Sequence, residues 1–202
     1  MTRTGSLPRV RLCIFCGSSP GARPEYAAAT VELAQLLAGR GIGIVYGGAS
    51  VGLMGLLADT AMDAGGEVVG VIPRALEAKE IARLGLTELH VVGSMHERKA
   101  LMAELADGFV ALPGGSGTLE ELFEVFTWSQ LGLHRKACAL LNVAGYYDRL
   151  AEFLDHAVDE RFMRPEHRAM LLCEDSPAAV LAAIERFEPP VVDKWIDRAS
   201  QT

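Results

Sequence analysis

A chain of 202 residues, half of them hydrophobic, carries enough apolar side chain for one well-buried domain. Its net charge of −7 argues against a nucleic-acid surface, because a phosphate backbone is normally met by clustered Lys and Arg, although a small anion can still bind locally. No stretch approaches the roughly 20 consecutive apolar residues of a membrane span, and the first residues lack the apolar run of a signal peptide, so a cytoplasmic protein is expected.

Residues 1–8 read as a flexible tail, 9–187 as the domain and 188–202 as a second tail. The domain opens on the apolar run VRLCIF (10–15), a strand by pattern, followed by CGSSPG (16–21). Cys13 and Cys16 have the C-x-x-C spacing of zinc and redox sites. Positions three apart on a strand face opposite sides of a sheet, so the two sulfurs diverge and read as core. Helical spacing of Leu, Ala and Val marks 24–39, and GIVY (43–46) reads as the second strand. YGGASVGLMG (46–55) then leads into a helix over 52–64. It contains neither the G-x-G-x-x-G fingerprint nor a P-loop lysine, which disfavours a NAD enzyme or an NTPase. EVVGVI (67–72) and ELHVV (88–92) are the third and fourth strands, with PRALEAKE (73–80) after the third.

In SMHERKALMAELA (94–106), Ser94 and Glu97 fit the S-x-x-E capping box, so a helix starts at Ser94. Met95, Leu101, Met102 and Leu105 form its apolar stripe; Arg98 falls inside that stripe and Lys99 borders it. A guanidinium on a core-facing side needs a partner or a cleft. His96 and Glu97 begin an H-E-x-x-H frame that Ala100 breaks, and the five histidines show no ligand spacing, so no metal is expected.

GFVAL (108–112), the fifth strand, runs into PGGSGT (113–118) and a helix over 118–131. Gly114, Gly115 and Gly117 can adopt positive φ and bring amides close to a ligand, and Ser116 and Thr118 add hydroxyls: a phosphate cradle by composition. Leu119, Leu122, Phe123 and Phe126 make the buried face of the helix. Glu121, Glu124 and Trp128 lie on another side, which implies a covered surface near Glu121, such as a subunit contact. Glu120 and Glu121 both fall in the expected first turn, where carboxylates suit the helix dipole but repel a phosphate. Glu120 reads as a solvated dipole partner. ACALLNV (137–143) is the last expected strand, helices follow at 146–160 and 176–187, and Val192, Trp195 and Ile196 recur at helical spacing in the tail.

Strands alternating with helices define an α/β fold: a single doubly wound, Rossmann-like domain with a mainly parallel sheet flanked by helices. Helix starts gather at the rim where such folds bind ligands, which brings Arg98 and Glu121 toward a shared pocket. With a phosphate on the amides of Gly115 to Thr118, a carboxylate nearby faces the part of the ligand that becomes positive during reaction. A sugar losing its leaving group does this through an oxocarbenium-like transition state. One carboxylate would stabilise that cation or activate a water, a cation opposite would assist the departing base, and the ligand would be a nucleoside monophosphate.

PGGSGTLEE satisfies P-G-G-x-G-T-x-x-E, and with MHERK and YGGASVGLMG it resembles the LONELY GUY family of cytokinin riboside 5'-monophosphate phosphoribohydrolases. The likeness runs in order from about residue 10 to 187. The resemblance implies a Rossmann-like homodimer or larger assembly that removes ribose 5-phosphate from N6-modified adenosine monophosphates and, as in many bacterial members, from AMP as well, without metal or organic cofactor. It implies Arg98 and Glu121 as the catalytic pair, the loop of Gly115, Ser116, Gly117 and Thr118 on the phosphate, and Glu80, Lys99 and Thr127 in substrate contact. Relatives are often labelled lysine decarboxylases; only Lys79, Lys99, Lys136 and Lys194 could form a Schiff base, and no pyridoxal-phosphate site is apparent. Two other classes stay open: a nucleotide or cofactor carrier of the same fold, which has no reason to keep the catalytic pair, and a protein acting through an assembly surface around Trp128 and Trp195.

Overall fold

The computed structural model describes residues 10–77 and 82–190. The expected tail at 1–8 and all but residues 188–190 of the tail at 188–202 lie outside them, as do Lys79, Glu80, Val192, Lys194, Trp195 and Ile196.

Seven strands form one parallel sheet: β1 (Arg11–Phe15), β2 (Gly43–Tyr46), β3 (Val68–Pro73), β4 (Glu88–Val92), β5 (Gly108–Ala111), β6 (Ala137–Leu141) and β7 (Leu171–Glu174). The order is β4-β3-β2-β1-β5-β6-β7, with every adjacent pair parallel. The helices are α1 (Pro24–Gly39), α2 (Gly52–Asp63), α3 (Arg74–Glu77), α4 (Met95–Leu105), α5 (Ser116–Gln130), α6 (Asp148–Asp159), α7 (Pro165–Ala169) and α8 (Pro177–Glu185). The fold is thus the Rossmann-like domain expected. The edge strand β7 and the short helices α3 and α7 are additions to the elements read from sequence.

Alternation along each strand builds two cores. Leu12 and Ile14 of β1 join one with Leu33 and Leu37 of α1, Leu53 and Leu57 of α2, and Val180 and Leu181 of α8. Cys13 and Phe15 join the other with Met102 of α4, Leu122, Val125 and Phe126 of α5, and Leu154 of α6. Cys13 and Cys16 fall into different cores, as a strand period of two requires, and both thiols are free.

Chain order runs outward from β1 in one direction and from β5 in the other, so the loops after these two central strands part company at their C-terminal ends. This topological switch point is where an open parallel sheet leaves a crevice. The loops are stitched together: Gly17 N–H donates to the Pro113 carbonyl at 3.1 Å, and Leu53 N–H to the Gly17 carbonyl at 3.0 Å. Gly52 adopts φ +58°, and a Cβ there would stand 2.3 Å from the Ser18 carbonyl carbon. Only glycine lets the start of α2 approach so closely.

Behind α5, His134 is wedged into the second core, its ring 5.4 Å from that of Phe109. Its Nε2 donates to the Val125 carbonyl at 2.8 Å, and its Nδ1 accepts from the Lys136 N–H at 3.1 Å. Only the neutral ring meets both demands. Burial, the largest cause, pushes its pKa below the ordinary value against the opposing pull of the Val125 carbonyl, and Lys136 lowers it further. A base with a depressed native pKa binds its proton more readily in the unfolded chain. Its stability contribution is therefore present above the unfolded pKa and is lost as pH falls through the native one. Thermal melts from about pH 7.5 to about pH 5 should show a falling Tm, with a shallower fall in His134→Gln. Equal slopes in the two proteins would contradict this role.

Candidate active site

α4 begins as its sequence demands: the Ser94 hydroxyl accepts from the Glu97 N–H at 3.1 Å. The Glu97 carboxylate reaches back to the Gly93 N–H at 2.8 Å, one residue earlier than a capping box places it. This start sets the phase of the helix. Its buried residues are Arg98, Lys99 and Met102, while Met95 is 40% exposed and Leu101 and Leu105 are half-buried. The apolar stripe expected from sequence is therefore corrected: the inward face of α4 is charged in its first half, because there it borders a cleft instead of core.

Arg98, only 5% exposed, donates through Nη2 to the Gly47 carbonyl at 3.3 Å and lies 3.7 Å from Glu121 Oε1. Its Nε is buried and has no hydrogen-bond partner among the described residues. Gly47, at the end of β2, makes this position possible, since a Cβ there would stand 2.1 Å from Nη2. Lys99 turns to different carboxylates. It hydrogen-bonds Glu120 and lies 3.1 Å from Glu124 Oε2. The Glu120 bond is the main reason its pKa is raised, against the lowering effect of burial.

α5 starts at Ser116 with Gly115 as N-cap, two residues before the expected position. Glu120 and Glu121 therefore stand in the second turn, which corrects their assignment to the first. The helix has no side-chain cap, so its leading amides are left for another acceptor. The expected positive φ is also corrected, for Gly114, Gly115 and Gly117 are absent from the residues that adopt it. Gly114 is glycine for space: a Cβ would stand 2.1 Å from Thr118 Oγ1 and 2.9 Å from Gly17 N. At Gly115 and Gly117 a Cβ would meet nothing within 4 Å. The buried face of α5 consists of Thr118, Leu122, Val125, Phe126 and Ser129, with Leu119 and Phe123 half-buried beside it. Trp128 also rests half-buried against the chain's own second core, which covers part of the side that was assigned to a subunit contact.

A cleft of about 300 Å³ gathers these parts. Gly115, Ser116, Gly117 and Thr118 form one wall, with Arg98 and Glu121 beside them. Gly17, Ser18 and Met54 come from the loops of the switch point, and Cys16, whose thiol burial holds well above its ordinary range, lies among them. Sequence reasoning assigned no role to Gly47 or Met54; the only signal was their place in YGGASVGLMG directly after a strand. Lys99 is engaged with α5, and Thr127, exposed, donates to the Phe123 carbonyl at 2.6 Å further along that helix. Glu80 lies outside the described residues.

An uncapped helix start at the switch point, with buried Arg98 and half-buried Glu121 beside it, defines a Rossmann-like protein whose cleft has the chemistry to accept an anion next to a charged pair. A family model described as "possible lysine decarboxylase" matches residues 54–184. The chain is 50% identical over 183 residues to the probable cytokinin riboside 5'-monophosphate phosphoribohydrolase LOGL5 of Oryza sativa subsp. japonica, covering 91% of this chain and 74% of that one. It is 49% identical over 179 residues to the phosphoribohydrolase LOG7 of Arabidopsis thaliana, covering 89% and 82%. The chain belongs to this LONELY GUY family. Among solved structures it resembles the molybdenum cofactor binding protein of Rippkaea orientalis, with TM-score 0.66, 20% identity and coverage of 89% and 98%. At that identity the likeness concerns the fold.

Two glycines are required by close packing, and one only keeps space open. Gly47→Ala and Gly114→Ala should each lower Tm by several degrees, as overpacking of about 1–3 kcal/mol does, while Gly117→Ala leaves Tm nearly unchanged. Melting curves check this, and equal shifts in all three would refute the distinction.

Proposed function

We propose that this protein hydrolyses the N-glycosidic bond of adenosine 5'-monophosphates, N6-modified ones included, releasing the free base and ribose 5-phosphate. The carrying observation is Arg98, buried 3.7 Å from Glu121 in the cleft that holds the uncapped start of α5. Relatives at half identity bear the name of this activity, which supports the reading.

In this scheme the phosphate takes the amides of Gly115 to Thr118 and the hydroxyls of Ser116 and Thr118. The ribose then lies toward Glu121, whose carboxylate stabilises positive charge at C1′ as the bond to the base lengthens. Water adds to C1′ and gives its proton to Glu121, while the bonding electron pair leaves with the base; the base takes up a proton from solvent and Glu121 returns its own to solvent, so that one water is consumed overall. Arg98 stays protonated near neutral pH and so serves as a hydrogen-bond donor to the departing base, not as an acid. At 3.7 Å the two groups are ion-paired across a distance longer than a hydrogen bond.

Glu80, Lys99 and Thr127 enter as substrate contacts on the resemblance. Lys99 has a third N–H beyond those facing Glu120 and Glu124. Thr127 lies about 16 Å along α5 from Ser116, so its contact with a nucleotide fits one reached from a second copy of the chain. The homodimer so proposed is supported by Leu131 and Leu133, 56% and 70% exposed beyond α5. Among the described residues no helix is long and apolar enough to cross a membrane. A cytoplasmic location is proposed, supported by four cysteines that all remain unpaired. As for a Schiff base, Lys136 donates to the Ala103 carbonyl at 2.7 Å and Lys99 is ion-paired, which gives decarboxylase chemistry no support from either.

Chromatography after incubation with AMP, isopentenyladenosine monophosphate or adenosine tests the reading. Free base should form from both monophosphates and far more slowly from adenosine, because remote phosphate binding drives the reaction. Glu121→Gln should cut turnover on the order of 10²–10⁴-fold while nucleotide still binds. Equal turnover of adenosine and AMP would remove the role of the loop, and near-normal rates in the variant would remove that of Glu121.

A further inference from the structure

The turn between β6 and α6, NVAGYYD (142–148), is held more firmly than a surface connection requires. Ala144 takes φ +53° and Gly145 φ +74°, and a Cβ at Gly145 would stand 2.5 Å from Asp148 Oδ2. The Asn142 side chain spans the turn, accepting from the Tyr147 N–H at 2.7 Å and donating to Asp148 at 2.7 Å and Asp175 at 3.3 Å. Arg23, before α1, donates to the Ala144 carbonyl at 3.2 Å.

This construction aims two consecutive tyrosines at one segment. The Tyr147 hydroxyl, buried, donates to the Leu112 carbonyl at 2.6 Å, and the Tyr146 hydroxyl donates to the Gly114 carbonyl at 2.6 Å. Between them the Pro113 carbonyl accepts from the Gly17 N–H. Three successive carbonyls leading into the phosphate loop thus each have their own donor. In a trans peptide the C=O and the following N–H point in opposite directions, so a donor that fixes the Gly114 carbonyl also fixes the direction of the Gly115 N–H.

We propose that Tyr146 is a positioning residue for phosphate recognition: its hydroxyl holds the Gly114 carbonyl away from the anion and so presents the Gly115 amide to it. This rests on the phosphate reading of the loop given above. Its opposite wall supports such a role. Tyr146 is 42% exposed, meets Tyr26 edge-on at 5.6 Å, and closes a compartment of about 250 Å³ that shares Gly17, Ser18 and Gly115 with the catalytic cleft. The ring therefore lines the compartment on one side of the loop, while Arg98 and Glu121 line the cleft on the other. Tyr147, wholly buried below it, secures the strand end; Tyr146 addresses the loop.

The test compares Tyr146→Phe with the unmodified protein, using calorimetric titration with ribose 5-phosphate and, separately, adenosine, which has no phosphate. Loss of one hydrogen bond should weaken ribose 5-phosphate binding about threefold to tenfold while adenosine affinity and Tm hold. A purely structural role would move both ligands alike or lower Tm. Unchanged ribose 5-phosphate affinity, or equal weakening of both ligands, overturns the inference. Failure of the unmodified protein to bind ribose 5-phosphate overturns the parent reading, and this inference with it.

Discussion

The site depends on one constraint: a guanidinium that never loses its charge is buried, and a buried charge needs opposite charge and hydrogen-bond acceptors around it. Arg98 finds them in the Gly47 carbonyl and in Glu121. Three elements must meet for this to happen, the end of β2, the first turns of α4 and the second turn of α5, and the sheet order brings them to one rim. The absence of a side chain at Gly47 is as much a part of the arrangement as the charges are.

The same constraint explains why carboxylates sit next to a phosphate loop. Adjacent helix positions point about 100° apart, so Glu120 and Glu121 address different neighbours. Glu120 meets Lys99, and Glu121 meets Arg98. One pair ties α4 to α5, and the other stands inside the cleft, where the Arg98 Nε–H has no hydrogen-bond partner among the described residues. The helix start itself carries no side-chain cap, so under the proposed function an incoming anion would complete bonds that the cap leaves unmade.

Much of this was legible in the sequence because it is local. Six strands announced themselves as apolar runs, whereas LLCE of β7 has only four residues, ends on a glutamate and holds an edge position half open to water. Arg98 stood out as a charge on an apolar stripe, yet the stripe was misdrawn, since only the fold reveals where α4 stops facing core and starts facing a cleft. The loop glycines were recognised for their composition, but the reason for Gly114 is its contact with Gly17 and Thr118, which spacing alone cannot give. Helix propensity also placed the start of α5 after Gly117, where the structure begins it before. Gly47 and Tyr146 stayed silent because their partners lie 51 and 32 residues away.

The most direct measurement of the central claim, that Arg98 and Glu121 work as one coupled unit, is a double-mutant cycle on kcat/KM for AMP with Arg98→Ala, Glu121→Gln and the double variant. Each single change should cost on the order of 10²-fold or more, and the double should be little worse than the poorer single. Losses that multiply in the double variant, or a single variant with nearly full activity, would contradict the coupling.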